Sequence, residues 1–293
     1  MTATDILWLD HPSCRDLARV GGKAANLARL AARMPVPPGF ALTTDAFDRA
    51  WRGGALPDAL PDDVRGQVAD AYAELTARLG GEPPSVAVRS SAADEDGGAA
   101  SFAGQHETYL NIVGADAVAD AVLRCWQSAG SERTLAYRRS QNLDGDVHLA
   151  VLVQALIRAD VAAVVFSANP LTGSLDEVVV NASWGLGESI VGGTTTPDTF
   201  VVRKADGALL STTLGEKARM TVSVPGGTEE VDTPRFLRGR PALDAAQAAD
   251  AAGLARNLEE TMGWPVDLEC AWSEGTLYLL QCRPITTLRS VNR

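Results

Sequence analysis

The sequence predicts an α+β fold. Segments with helical periodicity are distributed along the 293-residue chain, and short runs with the alternation typical of strands lie between them. Two of the strand pairs enclose strong turn signals, Asp206-Gly207 and Gly226-Gly227. Hydrophobic residues make up 46% of the chain, enough for a sizeable core.

The N-terminal part of the chain alternates strands and helices. Apolar spacing after Lys23 predicts a helix, which a cluster of prolines ends at residues 35–38. Strands are predicted at about 6–9, 40–43, 86–89, 109–113, 147–157 and 161–166, and helices at about 44–51, 68–79 and 115–141. We expect the strands at 147–157 and 161–166 to be adjacent in one sheet, with the turn at Asp160.

The C-terminal part is rich in hairpins. Strands are predicted at 178–182, 199–203, 209–213, 219–224 and 229–231, followed by an alanine-rich helix at about 244–262 and a last hairpin at 264–285. Two domains are expected, residues 1–190 and residues 191–293.

Composition excludes several classes of protein. The net charge of −11 argues against a general nucleic-acid or acidic-membrane binder. No apolar run approaches the ~20 residues that span a bilayer, and the N-terminus lacks a signal-peptide pattern. The four cysteines form no CxxC pair, so we expect reduced thiols in a cytoplasmic protein and no zinc site.

The last hairpin has two candidate registers around Ser273-Glu274-Gly275. A two-residue loop would place Glu269 opposite Leu280 and turn Gln281 to the other face. A three-residue loop with Gly275 in the left-handed conformation would place four polar side chains on one face, and we favour it. These side chains are Asp267, Glu269, Gln281 and Arg283.

A shared face of this kind has a definite chemistry. Carboxylate and amide oxygens suit a hard cation that bridges phosphate oxygens, and a guanidinium suits the phosphate itself. The alternative is a surface hairpin with ordinary salt bridges.

Two further segments could serve phosphate binding. Gly21-Gly22 precedes a helix start, where free N–H groups and the helix dipole favour an anion, and Lys23 adds a positive charge. Residues 92–105 are rich in glycine, alanine and acidic residues and follow a strand, so they could close as a lid over a ligand. An ordinary turn and an ordinary mobile loop are the alternatives. Gly185-Leu186-Gly187-Glu188 lacks the third glycine of a dinucleotide fingerprint, which excludes a Rossmann site.

Seven segments, in order, resemble the N-terminal nucleotide-binding region of the phosphoenolpyruvate synthase and pyruvate phosphate dikinase family, a region that rifampicin phosphotransferases share. They cover nearly the whole chain and begin at Gly21, Val36, Val86, Ser101, Phe166, Gly185 and Leu280.

The resemblance implies an ATP-grasp-like fold that holds nucleotide between two lobes. It implies Lys23 and Arg89 on the ATP phosphates, Glu269 and Gln281 on Mg²⁺, and Arg283 on the terminal phosphates. These cations, Lys23, Arg89 and Arg283, would be the catalytic groups. The other nucleotide contacts implied are Gln154 near adenine, Ser101, Gly104 and Gln105 in the lid, and Glu188 and Lys217 as additional candidates.

The chain also departs from the family. None of His11, His106 and His148 lies in a segment of the type that carries phosphate in the family. We therefore expect an ATP-binding component that transfers phosphate, with AMP as product, to a histidine on a separate or missing swivelling domain, for onward transfer to a small molecule. The alternatives are a self-contained ATP-grasp kinase or ligase, which would release ADP without a partner, and a non-catalytic nucleotide-binding module.

Overall fold

The computed structural model describes residues 4–51, 58–92, 107–132, 134, 147–286 and 288. Its contacts divide the chain into two compact units. The first comprises residues 1–156 and 225–227, and the second comprises 157–224 and 228–293. The boundary expected after residue 190 falls inside the second unit, because the strands at 161–166 and 177–184 pair with strands of the C-terminal part.

The first unit is built on a five-stranded antiparallel sheet. Its strands are β1 (Ile6–Trp8), β2 (Gly39–Leu42), β3 (Val86–Ala92), β4 (Thr108–Ile112) and β5 (Leu149–Ala155), and their order is β1-β2-β5-β3-β4. All the residues of β2, β3 and β5 are buried. The central strands are therefore covered on both faces.

Helices cover both faces of this sheet. They are α1 (Leu17–Leu30), α2 (Thr44–Ala50), α3 (Asp62–Arg78) and α4 (Ala115–Ala129). One face forms the main core, in which Phe40, Val88 and Val153 pack with residues of α2, α3 and α4. The opposite face, where Arg89 is paired with Leu152, packs against α1.

Two predicted elements of this unit differ from the structure. The helix predicted to run from 115 to about 141 ends at Ala129, where Gly130 is the C-cap. The predicted neighbours at 147–157 and 161–166 belong to different sheets. β5 lies between β2 and β3, whereas residues 161–166 pair in the second unit.

The second unit contains a six-stranded antiparallel sheet and a separate hairpin. The sheet has the order β13-β12-β6-β7-β8-β9, and β10 and β11 form the hairpin. The strands are β6 (Val161–Phe166), β7 (Glu177–Trp184), β8 (Asp198–Arg203), β9 (Leu209–Thr213), β10 (Arg219–Val224), β11 (Gly227–Asp232), β12 (Val266–Ser273) and β13 (Thr276–Pro284). The helices are α5 (Glu188–Val191), α6 (Arg235–Arg238) and α7 (Ala245–Met262).

Helix α7 covers one face of the six-stranded sheet. It begins at a capping box, in which Asp244 and Gln247 bond each other's backbone N–H groups, and it ends at Gly263 in the left-handed conformation. Its buried residues pack on β6, β7, β8 and β12, where Leu268, Val180 and Phe200 are buried. The polar residues of β12 and β13 lie on the opposite face.

Two sequence expectations concern the chain as a whole. All four cysteines are free and buried, which agrees with the prediction of reduced thiols. No helix in the described ranges is long and apolar enough to cross a membrane. The strands and helices confirm the predicted α+β class.

Candidate functional site

A kink in α1 joins the glycine-lysine segment to the end of β3. Gly21 has φ 71° and ψ 173°, which breaks the helix, and a side chain there would collide with the Ser91 carbonyl. The Ser91 hydroxyl donates to Val20 O at 2.7 Å and accepts from Ala24 N–H at 3.3 Å. An unbroken helix would bond these two groups to each other. Ser91 therefore completes the hydrogen bonding of the kink and holds α1 against β3.

The kink places Lys23 in the first turn of the second helical segment. Lys23 is only 5% exposed, and its Nζ donates to the Ser90 carbonyl at 3.0 Å. Arg89 is the residue before Ser90, and it is 8% exposed. Although 66 positions separate these two cations in the sequence, the structure places Lys23 against the backbone next to Arg89. Two largely buried cations at one strand end can hold an anion.

Gln154 has a backbone partner. It lies in β5, opposite Gly39 and Ala87, and it is 2% exposed. Its Nε2 donates to the Pro37 carbonyl at 3.1 Å. The buried amide nitrogen is therefore hydrogen-bonded to the backbone, as a buried polar group requires.

The lid predicted from residues 92–105 lies almost wholly outside the described residues. Ala92 ends β3, and residues 93–106 are not described, so Ser101, Gly104 and Gln105 remain predictions. Of the histidines, His11 caps a short 3₁₀ turn and His148 bonds Asp48 at 2.9 Å, while His106 lies in the undescribed range.

The register of the last hairpin places its four polar residues on one face. Glu269 lies directly opposite Gln281, and Asp267 lies directly opposite Arg283. Residues two apart on a strand share a face, so all four side chains are neighbours. This confirms the arrangement that the sequence favoured.

The shared face of the hairpin arises in a different way from the one predicted. The loop has two residues, Glu274 and Gly275, both with positive φ, between the paired Ser273 and Thr276. The predicted three-residue turn was therefore wrong. A β-bulge corrects the register, because Cys270 pairs with Leu279 while Glu269 pairs with Gln281, which leaves Leu280 as the extra residue.

Asp267 is the most constrained member of this face. Its Oδ2 accepts from Arg283 Nε at 2.8 Å. Its Oδ1 is buried and has no hydrogen-bond partner among the described residues. Burial raises the pKa of the Asp267 carboxyl, the Arg283 charge opposes this shift, and the Glu269 charge adds to it. Sequence analysis placed Asp267 on this face but gave it no role of its own.

These groups fit a hard divalent cation such as Mg²⁺. A buried carboxylate oxygen that lacks a partner, next to a second carboxylate and an amide, is the type of oxygen set that such a cation takes. Within the described ranges no cluster of three or more His, Cys, Asp or Glu side chains forms a metal site. A cation here would therefore be held by Asp267, Glu269 and the Gln281 amide, with its other ligands from substrate or water.

The Gly185–Glu188 turn lies over the same face. Ala162 pairs with Ala271 of β12, and Val164 pairs with Glu269 two residues away, so Ala162 and Glu269 are on the same face of the sheet. A side chain at Gly187 would meet Ala162 Cβ at 3.6 Å. Glu188 follows as the first residue of α5. The structure thus brings Glu188 to the surface that carries the hairpin residues.

Lys217 is placed differently from the nucleotide contact that was expected. It is 0% exposed, and its Nζ bonds Asp198 and the Gly215 carbonyl. Asp198 is also 0% exposed. Nothing in the sequence pattern linked these two residues, which are 19 positions apart.

The family of this chain follows from its similarity to known proteins. Residues 52–293 match the family described as "Pyruvate phosphate dikinase, AMP/ATP-binding domain". The chain belongs to this family. The match covers most of the chain, and it agrees with the ATP-grasp-like fold that the resemblance implied.

Individual relatives of this dikinase nucleotide-binding family cover the N-terminal segment as well. The chain is 38% identical to a probable phosphoenolpyruvate synthase of Methanothermobacter thermautotrophicus, over 93% of this chain and 45% of that protein. It is 36% identical to the prodigiosin synthesizing transferase PigC of Serratia marcescens, over 98% of this chain and 34% of PigC. It is 35% identical to the uncharacterized phosphotransferase YvkC of Bacillus subtilis, over 92% of this chain and 33% of YvkC. The chain thus spans less than half the length of each.

Proposed function

We propose that this chain is the ATP-binding component of a dikinase-type phosphotransferase. The observation that carries the proposal is the shared face of Asp267, Glu269, Gln281 and Arg283, which combines oxygen ligands for a cation with a guanidinium for phosphate. Membership of an AMP/ATP-binding family supports the nucleotide.

The groups proposed to contact the nucleotide are those that the family resemblance implies. Lys23 and Arg89 would neutralise phosphate charge, and Gln154 would lie near adenine. Arg283 would bind the terminal phosphates, while Glu269 and Gln281 would hold Mg²⁺ with the help of Asp267. Mg²⁺, when bound, supplies further neutralisation of the phosphate oxygens. Phosphoryl transfer depends mainly on positioning and on such charge neutralisation.

The proposed reaction needs an acceptor that the described residues do not provide. A histidine nitrogen on a partner domain or subunit attacks the β-phosphorus of ATP. The bond from this phosphorus to the α,β-bridging oxygen breaks, AMP leaves with the bond electrons, and the histidine carries a pyrophosphoryl group. Attack of water on the γ-phosphorus breaks the β,γ-anhydride bond and releases inorganic phosphate, which leaves a phosphohistidine that passes its phosphoryl group to a small molecule. Relatives named phosphoenolpyruvate synthase and PigC are longer than this chain, which supports a partner domain.

Product analysis by ³¹P NMR tests this proposal. The 293-residue chain with ATP and Mg²⁺ should release little AMP alone, and should form AMP and phosphohistidine when a histidine-bearing domain of a related phosphotransferase is added. Glu269→Gln should remove this transfer, because the cation loses the negative charge of one of its carboxylate ligands. Glu260→Gln, on the exposed surface of α7, is the matched control and should leave it intact.

The alternatives predict different products. Rapid formation of ADP by the chain alone with a small-molecule acceptor would replace the proposal with a self-contained kinase or ligase. Binding of ATP without any transfer to a histidine domain would leave only a nucleotide-binding module.

A further inference from the structure

We infer that the buried Asp198–Lys217 pair is a positioning device for the Gly185–Glu188 turn. This inference rests on the proposed function, because Glu188 is one of the additional nucleotide contacts that the family resemblance implied. The family resemblance implied Lys217 as an additional candidate contact to the nucleotide, whereas the geometry points to an action through the backbone.

The pair joins three segments of the second unit at one buried junction: the start of β8, the residues before β10 and the residues before α7. Asp198 Oδ1 accepts from Lys217 Nζ and from Gly215 N–H, the latter at 2.9 Å, and Oδ2 accepts from Ala242 N–H at 2.7 Å. Lys217 Nζ also donates to the Gly215 carbonyl at 3.0 Å, and the Lys217 N–H donates to Thr196 O at 3.2 Å. Both carboxylate oxygens of Asp198 and the Lys217 ammonium are thus hydrogen-bonded, and both residues are fully buried.

The backbone around this junction has little freedom. Lys217 has φ 44°, a left-handed conformation that a lysine seldom adopts. A side chain at Gly215 would collide with the Thr196 carbonyl. A strained residue persists only where its surroundings determine its conformation, and here the ion pair does so.

The junction is connected to the Gly185–Glu188 turn from two sides. Lys217 leads directly into β10, whose Thr221 carbonyl accepts from Leu186 N–H at 2.9 Å. Asp198 begins β8 and pairs with Ala182 of β7, the strand that runs straight into Gly185. The pair therefore fixes β10 relative to β7, and the turn lies where these strands meet.

The contact at Gly185 is too close to tolerate a shift. Gly185 has φ 78°, and a side chain there would collide with the Thr221 carbonyl. A displacement of β10 would therefore alter the Leu186 hydrogen bond and the position of Glu188 over the sheet. Substitution of both charges should loosen this turn and weaken nucleotide binding.

The test is hydrogen exchange combined with ATP calorimetry on Asp198→Asn/Lys217→Met. Removing both charges avoids a lone buried ion. We expect exchange of the Leu186 amide to accelerate and ATP affinity to fall, each by roughly tenfold, the size of effect that a coupled contact commonly has. The Asn169 backbone amide, bonded to Ser174 O in the loop that joins β6 to β7 at the opposite end of these strands, should keep its exchange rate.

Lys204→Met/Glu259→Gln is the matched control. It removes the other lysine–carboxylate pair of this sheet, which follows the opposite end of β8 and has an N–O distance of 2.9 Å. Leu186 exchange and ATP affinity should stay at the parent values. Unchanged Leu186 exchange in a folded Asp198→Asn/Lys217→Met variant would overturn the inference, as would an equal acceleration at Asn169.

A measurement on the parent protein covers the case in which this variant does not fold. With increasing urea, the amides of Gly215, Ala242 and Leu186 should open together, as one cooperative unit. Independent opening of Leu186 at lower urea would overturn the inference. Failure of the parent to bind ATP would instead overturn the proposed function, and the exchange result would still decide the positioning role.

Discussion

Substitution of Ser91 tests whether one hydroxyl holds the phosphate-binding segment together. In Ser91→Ala, Val20 O loses a hydrogen bond of 2.7 Å and Ala24 N–H loses one of 3.3 Å, both in a buried environment. Each buried group left without a partner costs about 1–3 kcal/mol. We therefore expect the free energy of unfolding to fall by about 2–6 kcal/mol, a large part of the stability of a typical domain.

The substitution should also affect ligand binding. Lys23 lies between Val20 and Ala24 in the sequence and reaches the carbonyl of Ser90, so a looser kink displaces its ammonium group. Binding of ATP should be weakened more than binding of AMP, because the affected groups are expected to contact the outer phosphates. Urea unfolding and calorimetry with both nucleotides measure the two effects.

Ser128→Ala is the control for a lost hydroxyl. Ser128 Oγ donates at 2.7 Å to the Cys125 carbonyl, one turn back in the same helix, so its loss should cost less than ~0.5 kcal/mol. A Ser91→Ala protein as stable as the Ser128→Ala protein would refute the idea that Ser91 completes the kink. If Ser91→Ala loses the expected stability but binds ATP and AMP with equally reduced affinity, the link to Lys23 is refuted.

Two further predictions concern charge. Lys23→Met or Arg89→Met should weaken ATP binding by roughly 10–100-fold, the worth of one charge-assisted hydrogen bond, with a smaller loss for AMP; equal losses in calorimetry would exclude contacts to the outer phosphates. The second concerns Asp267, whose pKa is raised in the folded protein mainly by burial, with the Arg283 charge opposing. Its contribution to stability is therefore complete below its unfolded pKa of ~3.9 and is lost as pH rises through the folded pKa. Asp267→Asn should accordingly gain in urea midpoint over the parent as the pH rises above the unfolded pKa, and a difference independent of pH would contradict the role of burial.

Local pattern predicted most individual elements but not all of their partners. The hairpins around Asp206-Gly207 and Gly226-Gly227 were found as predicted, with loops at 204–208 and 225–226, because a short loop pairs strands that are neighbours in the sequence. The strands at β5 and β6 were also predicted, but their expected pairing was wrong. Alternation shows which face of a strand is buried and carries no information on which strand lies beside it.

The hairpin of β12 and β13 shows a second limit. Counting residues from the turn assumes an unbroken ladder, and the bulge at Leu280 changes the count by one. The loop has one residue fewer than predicted, and the bulge adds one residue to β13. These two differences cancel, so Glu269 and Gln281 share a face as predicted. The chemistry of the four polar residues was the sounder guide, because only one face brings oxygen ligands and guanidinium together.

The two lysines that follow glycines show why a site cannot be assigned from residue type alone. Gly-Gly-Lys23 and Gly-Glu-Lys217 look alike in the sequence, and both lysines are buried. Lys217 is bonded to the carboxylate of Asp198 in a fully enclosed junction, whereas Lys23 is bonded to a backbone carbonyl at the end of β3. Breaking a buried ion pair to bind a phosphate would leave Asp198 uncompensated, at a cost of several kcal/mol. The ion pair with Asp198 therefore argues against Lys217 as a phosphate contact, and Lys23 stays the proposed one of these two lysines.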